Sequence, residues 1–359
     1  MATKPTITIT FKQLATTLMQ RSERGTAILL LPDTTGAASE ENAVITTKVY
    51  KTVADIDESL YTADNLACIK SCLSYTPYEV VVISGSSTQF SDFAKAITTI
   101  RRTGWIASVN DAIQADLASW VKSMELQGYT YKAVGTQKGT DSKQYVYFSQ
   151  DVTDNNGVAV KAVNYLPSLL GILAGCNISR GCTNFLCTDL SETSEVDDVD
   201  AAITGGQLVL TNDVNGVRIA AGINSLVTLN GNTATEDMQY IETVEAMNLI
   251  MDDIRDEFKN TYQGSFKNKY MNQMLFIGAV NEYFSNLARE DVLDSEFANK
   301  AEIDVEMQRS AWVGTGKNEA EDWSDDMVKK MSFKRSVFVA CNIKILNCME
   351  NLKFTVTME

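Results

Sequence analysis

The chain has 359 residues, 45% of them hydrophobic, with 31 basic and 46 acidic side chains, a formal charge of −15 and no histidine. That is long enough for a sizeable core, and for two domains as a prior. The acidic balance makes the chain a poor candidate for wrapping nucleic acid, where neutralised phosphates dominate binding. The missing histidine excludes Ser-His-Asp and Cys-His catalysis and removes the commonest base near neutral pH.

Residues 1–5 have no apolar stretch of signal-peptide type, and the apolar runs at 27–32 and 80–83 are too short to cross a bilayer. A soluble protein made in the cytoplasm is expected. In the first segment Ile7, Ile9 and Phe11 alternate with Thr6, Thr8 and Thr10, the period of a strand with one apolar side. Strands and helices then alternate. Strands are expected at 27–31, 79–83, 105–109, 129–134 and 145–148, and helices at 90–100 and 111–127. Such alternation predicts an α/β layer with a largely parallel sheet. Asn155, Asn156 and Gly157 mark a turn, and 164–174 reads as a helix with Pro167 in its first turn.

The acidic stretch 189–200 reads as a solvated break and is taken as the domain boundary; its spacing is not that of a calcium loop. A hairpin follows, 207–210 against 217–220, and then a strand-like 225–229. Thr233 and Glu236 have capping-box spacing. After them Val244, Met247, Met251, Ile254 and Phe258 recur at helical intervals. A bend near Gly264 precedes a second amphipathic helix marked by Met274, Ile277, Val280, Phe284 and Leu287. Residues 314–326 look like an exposed loop, and 336–346 like a strand. The chain closes with Leu352, Phe354, Val356 and Met358 alternating with polar residues. Strand-like, half-apolar ends must be paired, either with the protein's own sheet or with a neighbour's.

No reactive site emerges. The seven cysteines read as free thiols. Cys176, Cys182 and Cys187 would need a fourth ligand to hold zinc. Gly314, Gly316 and Lys317 lack phosphate-loop spacing. No catalytic residue, metal site or cofactor is assigned.

The residues do carry a resemblance. The run 217–226 (Val-Arg-Ile-Ala-Ala-Gly-Ile-Asn-Ser-Leu) resembles the R-x-x-x-G-I-N-S/T segment of contractile tail sheath proteins. The runs 244–255, 258–262, 281–284 and 292–294 are similar to sheaths of PBSX-like defective prophages and of clostridial, diffocin-type R-type bacteriocins. So are 9–12, followed by Arg-Ser-Glu-Arg-Gly at 21–25, and the M-E-x-L region at 349–352; Asn347 and Cys348 depart from the pattern. The resemblance is dense over 200–359 and the first 30 residues and thinner between.

The resemblance implies an α/β and α+β fold: a variable α/β domain plus a sheath-type C-terminal α+β domain, with extended N- and C-terminal β arms. The implied limits are 1–22, 23–190, 191–350 and 351–359. The implied function is a structural subunit, not an enzyme, of a contractile sheath that polymerises helically around a tail tube by strand exchange. It would contract from a metastable extended state. Ile7, Ile9, Phe11, Leu352, Phe354 and Val356 would anchor the arms in a neighbour, received by the sheet around 336–346 and the Val217 strand. Lys259, Lys267 and Lys269 are candidates to face the tube, against the plainer reading of surface lysines. Implied partners are the chain itself, a tail tube protein, and baseplate and tail terminator proteins, with no direct nucleic acid and no membrane insertion. Implied localisation is a virion tail or tail-like particle released on lysis. The alternatives are an α/β enzyme or small-ligand-binding protein, and a tail tube or other filament protein.

Overall fold

The computed structural model describes residues 19, 25–33, 35, 45–87, 89–176, 178 and 180–358. The chain divides into two compact units, Ser22–Ile250 with Ile345–Glu359, and Met1–Arg21 with Met251–Lys344.

The larger unit is built on a six-stranded sheet of β1 (Thr26–Pro32), β2 (Thr46–Tyr50), β3 (Glu79–Gly85), β4 (Trp105–Ser108), β5 (Lys132–Gly135) and β6 (Tyr145–Tyr147). Its order is β2-β3-β1-β4-β5-β6. All neighbours are parallel except β2 and β3. Four helices cover it: α1 (Ala63–Ser74), α2 (Phe90–Ile100), α3 (Gln114–Leu126) and α4 (Ala162–Gly175). The alternation of β1 shows why its sequence is an unbroken apolar run. Ala27, Leu29 and Leu31 join one core with Ile69 and Cys72 of α1 and Leu166 and Leu170 of α4. Ile28 and Leu30 join the other with Phe93 and Ile97 of α2 and Leu117 and Val121 of α3. A sheet covered on both faces needs apolar residues at every position. Helices α1 and α4 approach so closely that a Cβ on Gly171 would collide with the Cys72 carbonyl.

Several expectations are corrected here. Helix α4 begins at Ala162, so Pro167 lies in its second turn and its ring is packed in the core. The run 189–200 is exposed over most of its length, as expected of a solvated stretch, but it is not wholly irregular. It holds a strand and a short helix, and Asp189 accepts hydrogen bonds from the hydroxyls of Tyr75, Tyr165 and Ser168. The sheet there comprises β7 (Val152–Asp154), β8 (Ala159–Val160) and β9 (Leu190–Thr193), in the order β8-β7-β9. After α5 (Val199–Thr204) comes the hairpin β10 (Leu210–Asp213) and β11 (Gly216–Ile219). Residues 225–229 form no strand, because Asp141 Oδ1 takes the Val227 and Thr228 amides. The expected capping box is absent as well. Asn230 Oδ1 accepts from the amides of 232, 233 and 234 and its amide bonds Thr233 Oγ1, so the next helix, α6, starts only at Ile241 and runs Ile241–Glu257.

In the smaller unit a π-turn, Phe258–Tyr262, follows, then α7 (Tyr270–Arg289). Tyr283 Oη donates to Asp253 Oδ2 at 2.7 Å. Next come β12 (Lys300–Ile303), α8 (Val305–Val313), α9 (Asp325–Lys330) and β13 (Val339–Asn342). The 314–326 stretch is more ordered than a polar loop. Arg309 bonds the carbonyls of Ala320, Glu321 and Trp323 and the Asp325 carboxylate, and Lys317 Nζ lies 5.4 and 5.0 Å from the Trp312 and Trp323 ring centroids.

Candidate assembly site

The terminal arm has a defined root. Asn347 Oδ1 accepts from Thr243 Oγ1 at 3.1 Å, and the Cys348 amide donates to Glu242 Oε1 at 2.9 Å. The Gly181 amide donates to Cys348 Sγ at 3.3 Å. Glu242 lies in the first turn of α6, where free amides favour a carboxylate. A Cβ at Gly181 would stand 2.5 Å from its Oε2, so glycine keeps that bracket open.

Beyond the root the chain changes character. Residues 349–358 form neither helix nor strand, and among the described residues no hydrogen bond reaches 351–358. Leu352, Phe354, Val356 and Met358 are 89, 79, 67 and 90% exposed. A set of large apolar side chains this exposed is unusual for a finished surface. The partner residues of the N-terminal arm, Ile7, Ile9 and Phe11, lie outside the described residues.

A complementary feature sits in the smaller unit. Strands β12 and β13 form a two-stranded antiparallel sheet, with Ala301 opposite Cys341. The outer edge of β12 is already closed. Asn281 of α7 accepts from the Ala301 amide at 2.7 Å and donates to its carbonyl at 3.1 Å. The outer edge of β13 is open. The Asp304 amide bonds the Phe338 carbonyl at 3.0 Å, so by the antiparallel alternation Ala340 and Asn342 also face β12. Val339 and Cys341 therefore turn their amides and carbonyls outward, and among the described residues nothing bonds them. The expected strand 336–346 is thus four residues long, with Cys341 exposed.

The Val217 strand, expected to help receive an arm, is not available. Val217 and Ile219 of β11 are bonded on the outer side by 184–187, through the Cys187, Ile219 and Asn184 amides at 2.9, 3.0 and 2.8 Å. On the other side of the hairpin, Gln150 closes Leu210 and Asn212 closes Thr193. The outer edge of β2 is exposed, but Lys48 stands at its centre, a placement with which natural edges resist pairing.

The structure brings Lys259, Lys267 and Lys269 to one turn region between α6 and α7. All three are exposed, and among the described residues none is in an ion pair. No carboxylate lies between Phe258 and Asn281 in the sequence, so this tip is locally basic in a strongly acidic chain. Aromatic packing supports it: Phe276 lies 5.3 Å from Phe258 and 5.1 Å from Tyr262, and Phe266 lies 5.2 Å from Tyr262. Lys269 is the N-cap residue of α7, and its carbonyl accepts from the Asn272 amide.

The remaining polar features point to packing. Burial pushes the Cys68 and Cys176 thiols up to about 11 and Cys187 to about 12, which leaves them protonated and inert near neutral pH. Among the described residues no cluster of three potential metal ligands occurs, and no helix is long and apolar enough to cross a membrane. A cleft of about 520 Å³ beside α7 is lined by Phe284, Ser285, Arg289 and Phe297 among others, and Arg289 is the single charged side chain in it.

Comparison with known proteins gives these features a context. Residues 233–359 match the phage tail sheath C-terminal domain. The tail sheath protein of Clostridium phage phiCD119 is 28% identical over 368 residues, covering 98% of this chain and 98% of that protein. The helical sheath of the anti-feeding prophage in its contracted state shares the fold over 100% of both chains, with a TM-score of 0.69 and 10% identity. A sheath tail protein from Listeria innocua does so over 91% of this chain and 96% of its own, with a TM-score of 0.64 and 12% identity. The chain is homologous to tail sheath proteins over 98% of its length and carries a phage tail sheath C-terminal domain at residues 233–359, which supports the role of a structural subunit.

Proposed function

We propose that the chain polymerises helically around a tail tube and that its subunits are linked by strand exchange. The C-terminal arm leaves its root at Cys348 and adds as a strand to the outer edge of a neighbour's β13, with Leu352, Phe354 and Val356 buried in the neighbour. Ile7, Ile9 and Phe11 are proposed to act in the same way from the other terminus. The observation that carries this reading is the pairing of needs within one chain: an alternating apolar segment with no partner, and a strand edge with unbonded amides and carbonyls. Backbone pairing suits a polymer that changes shape, because ladder bonds hold while side-chain interfaces rearrange. The assembled particle is a virion tail or tail-like injection particle, with baseplate and tail terminator proteins at its ends.

The direct test is Cys341→Pro. Proline removes an outward amide and leaves the ladder to β12 intact, so the subunit folds. It should remain monomeric under conditions in which the parent forms polymers. Polymers of undiminished yield would exclude β13 as the receiving edge.

The basic tip is proposed to grip the tube. Reversing Lys259, Lys267 and Lys269 to glutamate should weaken sheath–tube co-assembly at least tenfold in co-sedimentation and leave sheath self-assembly unchanged. Unchanged co-assembly makes them ordinary surface lysines. Contraction is proposed to release energy stored in the extended assembly, through movement of subunit bodies between two packings. Calorimetry of extended particles should then record an exothermic transition on contraction with no nucleotide present, and its absence would remove that idea.

A further inference from the structure

The loop that delivers the chain into β13 is held by two side chains, Trp312 at its start and Asn268 at its turn. Residues 331–338 connect α9 to β13. Trp312 Nε1 donates to the Met331 carbonyl at 2.8 Å and fixes where the loop begins. The Ser336 amide then donates to the Phe333 carbonyl at 2.9 Å, closing a turn in which Lys334 has φ of 42°, a left-handed conformation that a lysine resists. Phe333 stacks edge-on to Trp312 at 5.0 Å and lies 5.9 Å from Phe338.

Asn268 reaches this turn from outside it. Its Nδ2 lies 3.2, 3.3 and 2.9 Å from the carbonyls of Phe333, Lys334 and Ser336. Its Oδ1 accepts from the Nε2 of Gln273, itself 3% exposed, at 2.7 Å. That bond fixes the amide's orientation, since three carbonyls need the nitrogen and Gln273 needs the oxygen. Two residues after Ser336, the Phe338 carbonyl takes its bond from Asp304, and from there the register of β13 is set.

We propose that Asn268 is the positioning residue for strand acceptance: by clamping 333–336 it fixes which groups of β13 face outward. The inference rests on the reading that β13 receives a neighbour's arm. Asn268 lies between Lys267 and Lys269, so the clamp on the accepting strand and the basic tip share one stretch of chain. A merely structural role would lower melting temperature and leave capture of an arm by the folded protein untouched.

The test uses the full chain, diluted until monomeric, and a fluorescent peptide of residues 349–359. Capture is read by anisotropy, local order by hydrogen exchange over 333–342, and the fold by far-ultraviolet circular dichroism and melting. Asn268→Ala should weaken capture at least tenfold and speed exchange in 333–342, with the far-ultraviolet spectrum unchanged. Asn268→Asp keeps the size and loses the donor, and should do no better. Should Asn268→Ala unfold, Gln273→Met decides. It removes a buried amide whose Oε1 has no partner, so the fold tolerates it, yet it frees Asn268 to turn; a threefold or larger loss of capture is expected. Parent-like capture by the folded variants overturns the role of Asn268 and leaves strand acceptance standing. No capture by the parent, with no effect of Cys341→Pro on assembly, takes down both.

Discussion

A chain cut after Glu350 folds as the parent does and fails to polymerise. In the subunit, residues 351–358 are exposed and form no strand, so removing the arm uncovers no core and breaks no described hydrogen bond. Its melting temperature should stay within about a degree of the parent's. In the proposed polymer the same residues become buried. Leu352, Phe354 and Val356 would each contribute about 1.5–3 kcal/mol on full burial. Ordering the segment costs about 1–2 kcal/mol per residue, which backbone pairing and the remaining contacts must offset. Even a net 3 kcal/mol per link is a factor of about 150 in an equilibrium constant. The concentration needed for polymer, read by sedimentation, should therefore rise at least a hundredfold. Phe354→Asp should follow the truncation, because on the proposed strand exchange it would bury a charge in place of an apolar ring. Polymers from the cut chain at the parent's concentration would show that the arm has another purpose.

The second large effect concerns the buried pair that holds α6 to the sheet. Lys132 of β5 pairs with Glu245 of α6, with side chains only 6 and 11% exposed, and Lys132 Nζ lies 5.0 Å from the Trp105 ring centroid. One turn along α6, Asn248 exchanges two amide hydrogen bonds with Gln144, at 2.7 and 2.9 Å. Lys132→Met leaves a carboxylate buried without its cation and should cost about 3–5 kcal/mol of folding stability, read from urea midpoints. Adding Glu245→Leu should recover most of that loss, since apolar pairs of similar volume commonly replace buried ion pairs at little cost. The consequence reaches assembly, because the first turn of α6 carries Glu242 and Thr243, which bracket the arm's root. A Lys132→Met variant as stable as the parent would mean that water reaches the pair.

Much of this was legible in the sequence for physical reasons. A strand covered on both faces must be apolar throughout, which is why β1 and β3 stand out. The arm's alternation was equally plain, and with no partner in the subunit its apolar side chains stay exposed. Other features left no pattern to read. Asn281 closing β12 and Asn268 clamping 333–336 act on backbone far away in the chain, and one asparagine has no period. Lys132 lay within an expected strand, but alternation does not reveal a cation that is buried because Glu245 arrives 113 residues later. Thr233 and Glu236 had the spacing of a helix start, and Asn230 outcompeted them locally. The Val217 strand was recognised as a strand; that 184–187 occupies its outer edge required the fold.

The measurement closest to the central claim is a cryo-electron microscopy map of the polymer formed by the full-length chain. The expected result is a hollow helical tube in which 351–358 of each subunit lie as a strand along β13 of a neighbour, bonded to Val339 and Cys341. A polymer in which β13 keeps a bare edge and the arm packs elsewhere would contradict it.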